Sequence, residues 1–179
     1  MFLGLVHRLD KPVSGIMLFA KTSKGASRLS EQFRNHTIQK TYHCLVVGKP
    51  KLAKGELKGK VNKISFFAEG FGQKSDLEIL QEIKKATKTR TAELSYELVR
   101  SNEKYSLLKI LPKTGRFHQI RVQMSEMGHV ILGDAKYGAK ELLPDKSIAL
   151  CATGISFTTA TGDKIINLDI GLPESWTSY

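Results

Sequence analysis

A chain of 179 residues with 41% hydrophobic side chains is long enough for one domain with a real core, and too apolar to be disordered throughout. Lys plus Arg number 28 against 17 Asp plus Glu, and the resulting net charge of +11 favours a polyanionic partner: nucleic acid, an acidic membrane surface or an acidic protein. The two cysteines, Cys44 and Cys151, are too few for a disulfide scaffold, and no apolar run is long enough to cross a membrane, which fits a reduced cytoplasmic setting.

The apolar opening meets His7 and Arg8 too early for a signal peptide, so residues 2–7 read as a short buried strand. His7 to Gly15 breaks regularity with Pro12 and Gly15. Ile16 to Ala20 is a continuous apolar run, expected to be a strand covered on both faces. Thr22 or Ser23 caps a following helix, whose apolar stripe is Ala26, Leu29 and Phe33.

Lys40 to Val47 alternates as a strand. Residues 48–63, rich in Lys and Gly, are expected to form an extended surface loop or short hairpin, and residues 68–75 another loop. Two strand-like runs between about 89 and 111 flank the turn Ser101-Asn102-Glu103-Lys104. Phe117 to Met127 has helical character and ends at Gly128. Residues 148–157 and 164–170 read as late strands joined through 161–163. With many strands, few helices and no repeat or linker, the expected fold is α+β: a mixed, mainly antiparallel sheet with flanking helices, in one domain over 1–179.

Two segments carry candidate chemistry. Asp10 sits in a Pro/Gly-bounded turn between apolar runs, where a rigid support can present a functional carboxylate. The same pattern also suits a structural Asx-turn. Thr114-Gly115-Arg116-Phe117-His118-Gln119-Ile120-Arg121 gathers Arg116, His118 and Arg121 at a helix start, a setting for anions or simply a solvated basic helix end. The five histidines and two cysteines lack zinc-like spacing, so no metal site is expected.

Taken in order, these segments resemble the RluA-type pseudouridine synthases. The matching stretches are His7-Arg8-Leu9-Asp10-x-x-x-Ser14-Gly15, Lys40-Thr41-Tyr42 with Val46-Val47-Gly48, and Thr114-Gly115-Arg116-x-His118-Gln119-Ile120-Arg121-Val122. Gly128-His129-x-Ile131-Leu132-Gly133-Asp134-x-x-Tyr137-Gly138 and Ala149-Leu150-x-Ala152 follow. The chain departs from the family at Val13, Gln123 and Cys151, where Thr, His and His are usual. The family's upstream Lys-Pro-x-Gly stretch and its common accessory RNA-binding domain do not precede these motifs, so a pseudouridine synthase catalytic fold shortened at its N terminus is expected.

The resemblance implies an isomerase that converts uridine to pseudouridine in structured RNA, with no cofactor. Asp10 would be the covalent nucleophile, paired with Arg121, and Tyr42 the active-site tyrosine. Leu150 would wall the base, although a plain core leucine looks the same in sequence. Arg8, Lys11, Lys21, Arg116 and His118 would contact the substrate, with the Lys-rich 49–63 stretch also able to reach the RNA backbone. Ribosomal RNA is favoured over transfer RNA, and a monomer over an oligomer. The competing readings are a non-catalytic RNA-binding module on the same scaffold, an unrelated hydrolase using Asp10 with His7 or His118, and a basic interaction protein.

Overall fold

A computed structural model describes residues 2–61, 90–162 and 164–179. The loop expected at 68–75 lies outside the described residues, as do the end of the 48–63 stretch and Asp163 of the expected joint.

The fold is α+β. Its main sheet has seven strands among the described residues, ordered β2-β8-β4-β7-β6-β5, with β9 beside β8. In chain order these are β2 (Ser14–Gly15), β4 (Gln39–Val47), β5 (Lys54–Val61), β6 (Arg90–Ser101), β7 (Tyr105–Pro112), β8 (Leu150–Thr158) and β9 (Ile165–Asp169). All pairings are antiparallel except β2 with β8. A separate ribbon pairs β1 (Gly4–Leu5) with β3 (Phe19–Ala20).

The helix after Ala20 forms as the sequence predicts. Helix α1 (Ser23–Arg34) starts at Thr22, whose hydroxyl accepts the Gly25 amide at 3.0 Å. Helix α2 (Gln119–Glu126) starts at His118, in the left-handed region with φ 51°, and has no side-chain cap. The turn after β6 is set by Asn102, whose Oδ1 accepts the amides of Lys104 and Tyr105.

Three expectations are corrected. Residues 2–7 are not a core strand: only Gly4–Leu5 pairs, and Leu3 and Leu5 are 65% and 61% exposed. The Ile16–Ala20 run is not covered on both faces, since only Phe19–Ala20 is strand and Phe19 faces outward. Both segments belong to a two-stranded ribbon, which has one side to bury rather than two. The Lys/Gly stretch is not a loop, because Lys54–Val61 runs alongside β6 for its whole length. Lysines at 54, 58 and 60 point to solvent from the end of the described sheet, a composition that protects a sheet edge but hides strand propensity.

Two apolar clusters position the site. The larger joins β4, β6, β7 and β8 to α2 through residues such as Leu45, Leu108, Met124 and Leu150. The smaller joins Leu18, Ile38 and Ile155, with Val6, Phe33 and Phe157 packed against it, beneath α1.

Candidate active site

A cleft of about 290 Å³ opens where the two clusters meet. Val6, His7 and Phe33 come from the side of the smaller cluster, and Tyr42, Ile120 and Leu150 from the larger. Its charged lining is four basic side chains, Arg8, Lys40, Arg116 and Arg121, and one carboxylate, Asp10.

Asp10 is held by its loop. The Val13 amide donates to the Asp10 carbonyl at 2.9 Å, closing a turn. The loop is then stitched to β8. Ile16 N donates to Ala152 O at 2.9 Å and Ile148 N to Pro12 O at 3.1 Å. Gly15 lies against Ala152 with φ +124°, and a Cβ there would stand 2.3 Å from the Ala152 carbonyl oxygen. Only glycine allows the loop to run this close to β8.

Tyr42 sits at an irregularity. Thr41 pairs with Gly154 but Tyr42 with Ala152, so Thr153 is the extra residue of a bulge in β8. Its hydroxyl lies 2.7 Å from His43 Nδ1, which fixes the bulge from the far side of the strand. Tyr42 lines the cleft with Leu150, which is 3% exposed and is part of the core as well as of the wall.

Arg121 is buried at 5% exposure. Its Nε and Nη2 donate to both oxygens of Asp134 at 2.7 Å, a bidentate pair. The remaining Nη1 lies 3.7 Å from Asp10 Oδ2 and 3.2 Å from His118 Nε2. Tyr137 places its ring 4.9 Å from the guanidinium carbon and its hydroxyl 2.9 Å from His118 Nδ1. The expected Asp10–Arg121 pair is thus present as a longer contact, while Asp134 is the tight partner. Sequence reasoning assigned Asp134 and Tyr137 no role, although both stand in the quoted Gly128–Gly138 stretch. The available signal was that an aspartate amid apolar residues, once buried, needs a cation.

Gln119 organises the approach to α2. Its Oε1 accepts the Thr114 hydroxyl at 2.7 Å and the Arg116 amide at 3.0 Å, and its amide nitrogen donates to Glu93 O. Arg116 Nε donates to Thr91 O, so its stem lies along β6 at the cleft rim.

Desolvation dominates the titration of the site. Burial raises the Asp10 carboxyl above its usual range, opposed by Arg121 and Arg8. Burial, with the Asp10 charge adding, pushes the Tyr42 phenol up to about 12. Burial, with Arg121 and Lys136 adding, brings His118 down to about 4. His7 also falls to about 4, through burial and then Lys40; its Nε2 accepts the Leu18 amide at 2.8 Å. Both imidazoles are therefore neutral at neutral pH. Among the described residues no group of His, Cys, Asp and Glu is arranged to hold a metal.

The family described as RNA pseudouridylate synthase matches residues 2–126, which carry Asp10, Tyr42 and Arg121. The chain belongs to the RNA pseudouridylate synthase family. Among its relatives, the ribosomal large subunit pseudouridine synthase C of Rickettsia felis is 35% identical over 97% of this chain, which spans 54% of that protein. The tRNA pseudouridine synthase C of Haemophilus influenzae is 31% identical, over 96% of this chain and 74% of its own length. The chain spans about half the length of several relatives it matches. Human RNA pseudouridylate synthase domain containing 4 shares the fold, with a TM-score of 0.76 at 24% identity over 97% of this chain and 73% of its own.

Against that family, the residues singled out in the sequence sort clearly. Asp10, Tyr42, Arg121, Arg8, Leu150, Arg116 and His118 all line the one cleft. Lys11 and Lys21 are exposed and not among its lining residues. Of the three departures, Val13 lines the cleft and Cys151 is buried in the core as a free thiol. Gln123 donates to Leu57 O at 3.1 Å and leaves its own buried Oε1 without a hydrogen bond among the described residues. No helix among the described residues is long and apolar enough to cross a membrane.

Proposed function

We propose that this chain is an RNA pseudouridine synthase, with 1–179 acting as one catalytic domain on a uridine in structured RNA. Ribosomal RNA is the preferred substrate in this reading, on the strength of relatives named for the large subunit; a tRNA substrate is the alternative, carried by relatives named for tRNA. The observation that carries the reading is the Asp10 carboxylate beside the Asp134-anchored Arg121, in a cleft shared with Tyr42 and Leu150.

The roles follow from the chemistry. The reaction breaks the bond from ribose C1′ to uracil N1, turns the base, and joins C1′ to C5; the C5 proton leaves and N1 gains one. Asp10 supplies the nucleophilic carboxylate, and Arg121 Nη1 keeps it ionised against desolvation. Leu150 and the Tyr42 ring confine the base, and the Tyr42 hydroxyl stands ready to assist loss of the C5 proton. The base must leave its stack first, at a cost of a few kcal/mol. Arg8 and Arg116 at the rim, with Lys11 and Lys21 farther out, supply positive charge to the RNA backbone. His118, neutral, shapes the Arg121 side. No cofactor is invoked, and a monomer in the cytoplasm is the simplest setting.

Wild type and Asp10→Ala, each expressed in cells lacking the native protein, test this reading when pseudouridines are mapped across total RNA. A site restored by wild type alone identifies activity and substrate together. An unchanged map with wild type would overturn it.

A further inference from the structure

The cleft does not end at Lys40. A second groove of about 450 Å³ continues from it, between the end of α1, the start of β4 and the end of β7. The two cavities share Phe33, His36, Lys40, Pro112 and Thr114, so they form one channel with Lys40 at the junction. The outer groove adds apolar surface from Ile38 and from Leu111, which is 43% exposed. Phe33, stacked on His7 at 4.6 Å, lines both cavities.

Lys40 differs from the exposed lysines, with or without a partner, in its burial. Lys54, Lys58, Lys104 and Lys113 are exposed and each holds a glutamate at 2.7–2.9 Å. Lys40 is partly buried and makes no ion pair or hydrogen bond among the described residues. Burial lowers its ammonium from the usual range, with nothing offsetting it. A desolvated cation without a carboxylate is costly unless a ligand completes it.

We propose that Lys40 binds the phosphodiester joining the target uridine to its neighbour, and that the outer groove holds the neighbour's base against Phe33, Leu111 and Pro112. The inference rests on the cleft being a uridine site. Charge supports it, since Lys40 stands at the junction and the other cations Arg8 and Arg116 line the cleft beyond it. Apolar and aromatic walls beside a cation are how proteins hold single-stranded nucleotides. Such a site gives the enzyme a grip on two successive unstacked nucleotides instead of one.

The test uses the full chain, followed by NMR, with three probes: uridine, the dinucleotide UpU, and UpU with a neutral methylphosphonate linkage. Uridine is expected to shift cleft residues such as Tyr42 and Leu150 and to leave Leu111 unshifted. UpU is expected to shift Leu111 as well, and to bind roughly tenfold tighter than its methylphosphonate, the scale of one hydrogen bond to a charged group. In Lys40→Met the two dinucleotides should bind equally. Leu111→Asp, at an exposed position, should weaken UpU while leaving uridine binding unchanged. UpU that leaves Leu111 unshifted, or a methylphosphonate penalty undiminished in Lys40→Met, would overturn the proposal while leaving the cleft assignment standing. Uridine that shifts neither Tyr42 nor Leu150 would overturn the uridine site, and this inference with it.

Discussion

Arg121 gives its fork to Asp134, with both contacts at 2.7 Å, and turns only Nη1 toward Asp10 at 3.7 Å. Asp134 is 1% exposed, so the pair is a buried anchor that aims the third nitrogen at the cleft. Asp134→Asn removes one partner of a buried charge pair, a loss on the order of 3–5 kcal/mol. The melting temperature should fall and turnover with it. Arg121→Lys keeps a charge but lacks the planar fork, so it should also lose most activity. Wild-type turnover in either variant would show that the aim of Nη1 is irrelevant.

Asp10 should be a residue that harms stability. Its carboxyl is raised by burial, with Arg121 pulling the other way, so the folded chain holds that proton more tightly than the unfolded chain. A raised carboxyl contributes stability below its unfolded pKa and loses it as pH rises through the folded value. At neutral pH the ionised group is therefore a net cost. Asp10→Asn should abolish pseudouridine formation and raise the melting temperature at pH 7, with the gain shrinking toward pH 4. Thermal melts across that range check the sign.

Tyr42→Phe separates ring from hydroxyl. The ring should preserve RNA affinity, while turnover falls by about 10²–10⁴-fold if the hydroxyl serves as an acid–base group. Because burial, together with the Asp10 charge, holds the phenol at about 12, the wild-type rate should show no basic limb from Tyr42 below pH 10. Single-turnover rates against pH, for both proteins, decide this.

Much of this site is legible in the sequence. Turn residues betrayed the Asp10 loop, and the ordered stretches around Tyr42 and Arg121 marked residues that the fold brings with Asp10 into one cleft. What escaped was tertiary. Asp134 lies 13 residues from Arg121 and meets it only because α2 and the following 3-10 turn (Ala135–Tyr137) pack together. Lys40 reads as one more strand lysine until its partial burial in the cleft is seen. β5 was hidden because its lysines and glycines are poor strand formers, and pairing with β6 overrides them. The apolar runs at 2–7 and 16–20 suggested core strands because hydrophobicity in sequence does not say how many faces will be covered.

Two histidines should make the fold acid-sensitive. His7 and His118 are both lowered from 6.5 to about 4 by burial, then by Lys40 and by Arg121 with Lys136 respectively. Between those values the unfolded chain takes up protons that the folded chain declines, so stability falls as pH falls through that window. Urea denaturation from pH 7 to pH 4 should show the decline, and a His7→Gln/His118→Gln double variant should make it shallower, with His43, also lowered by burial, retaining part of it.

Gly15→Ala tests the loop's attachment. A Cβ would meet the Ala152 backbone oxygen at 2.3 Å, and the backbone is at φ +124°. The substitution should destabilise the protein, on the order of 1–3 kcal/mol for strain alone. It should also depress turnover beyond what lost folding explains, measured as rate per folded molecule.

The meeting of two apolar clusters at the cleft has a mechanical consequence. Asp10 and Leu150 are carried by β8 and its stitched loop, whereas His7 and Phe33 belong to the thinner packing beneath α1. A bulky nucleotide can enter by letting the lighter wall yield, with the reacting carboxylate kept in register by the heavier one. Amide exchange should then be faster in α1 and the β1–β3 ribbon than in β4 and β7, and RNA should slow it there most. The protein would work as a vice with one fixed jaw.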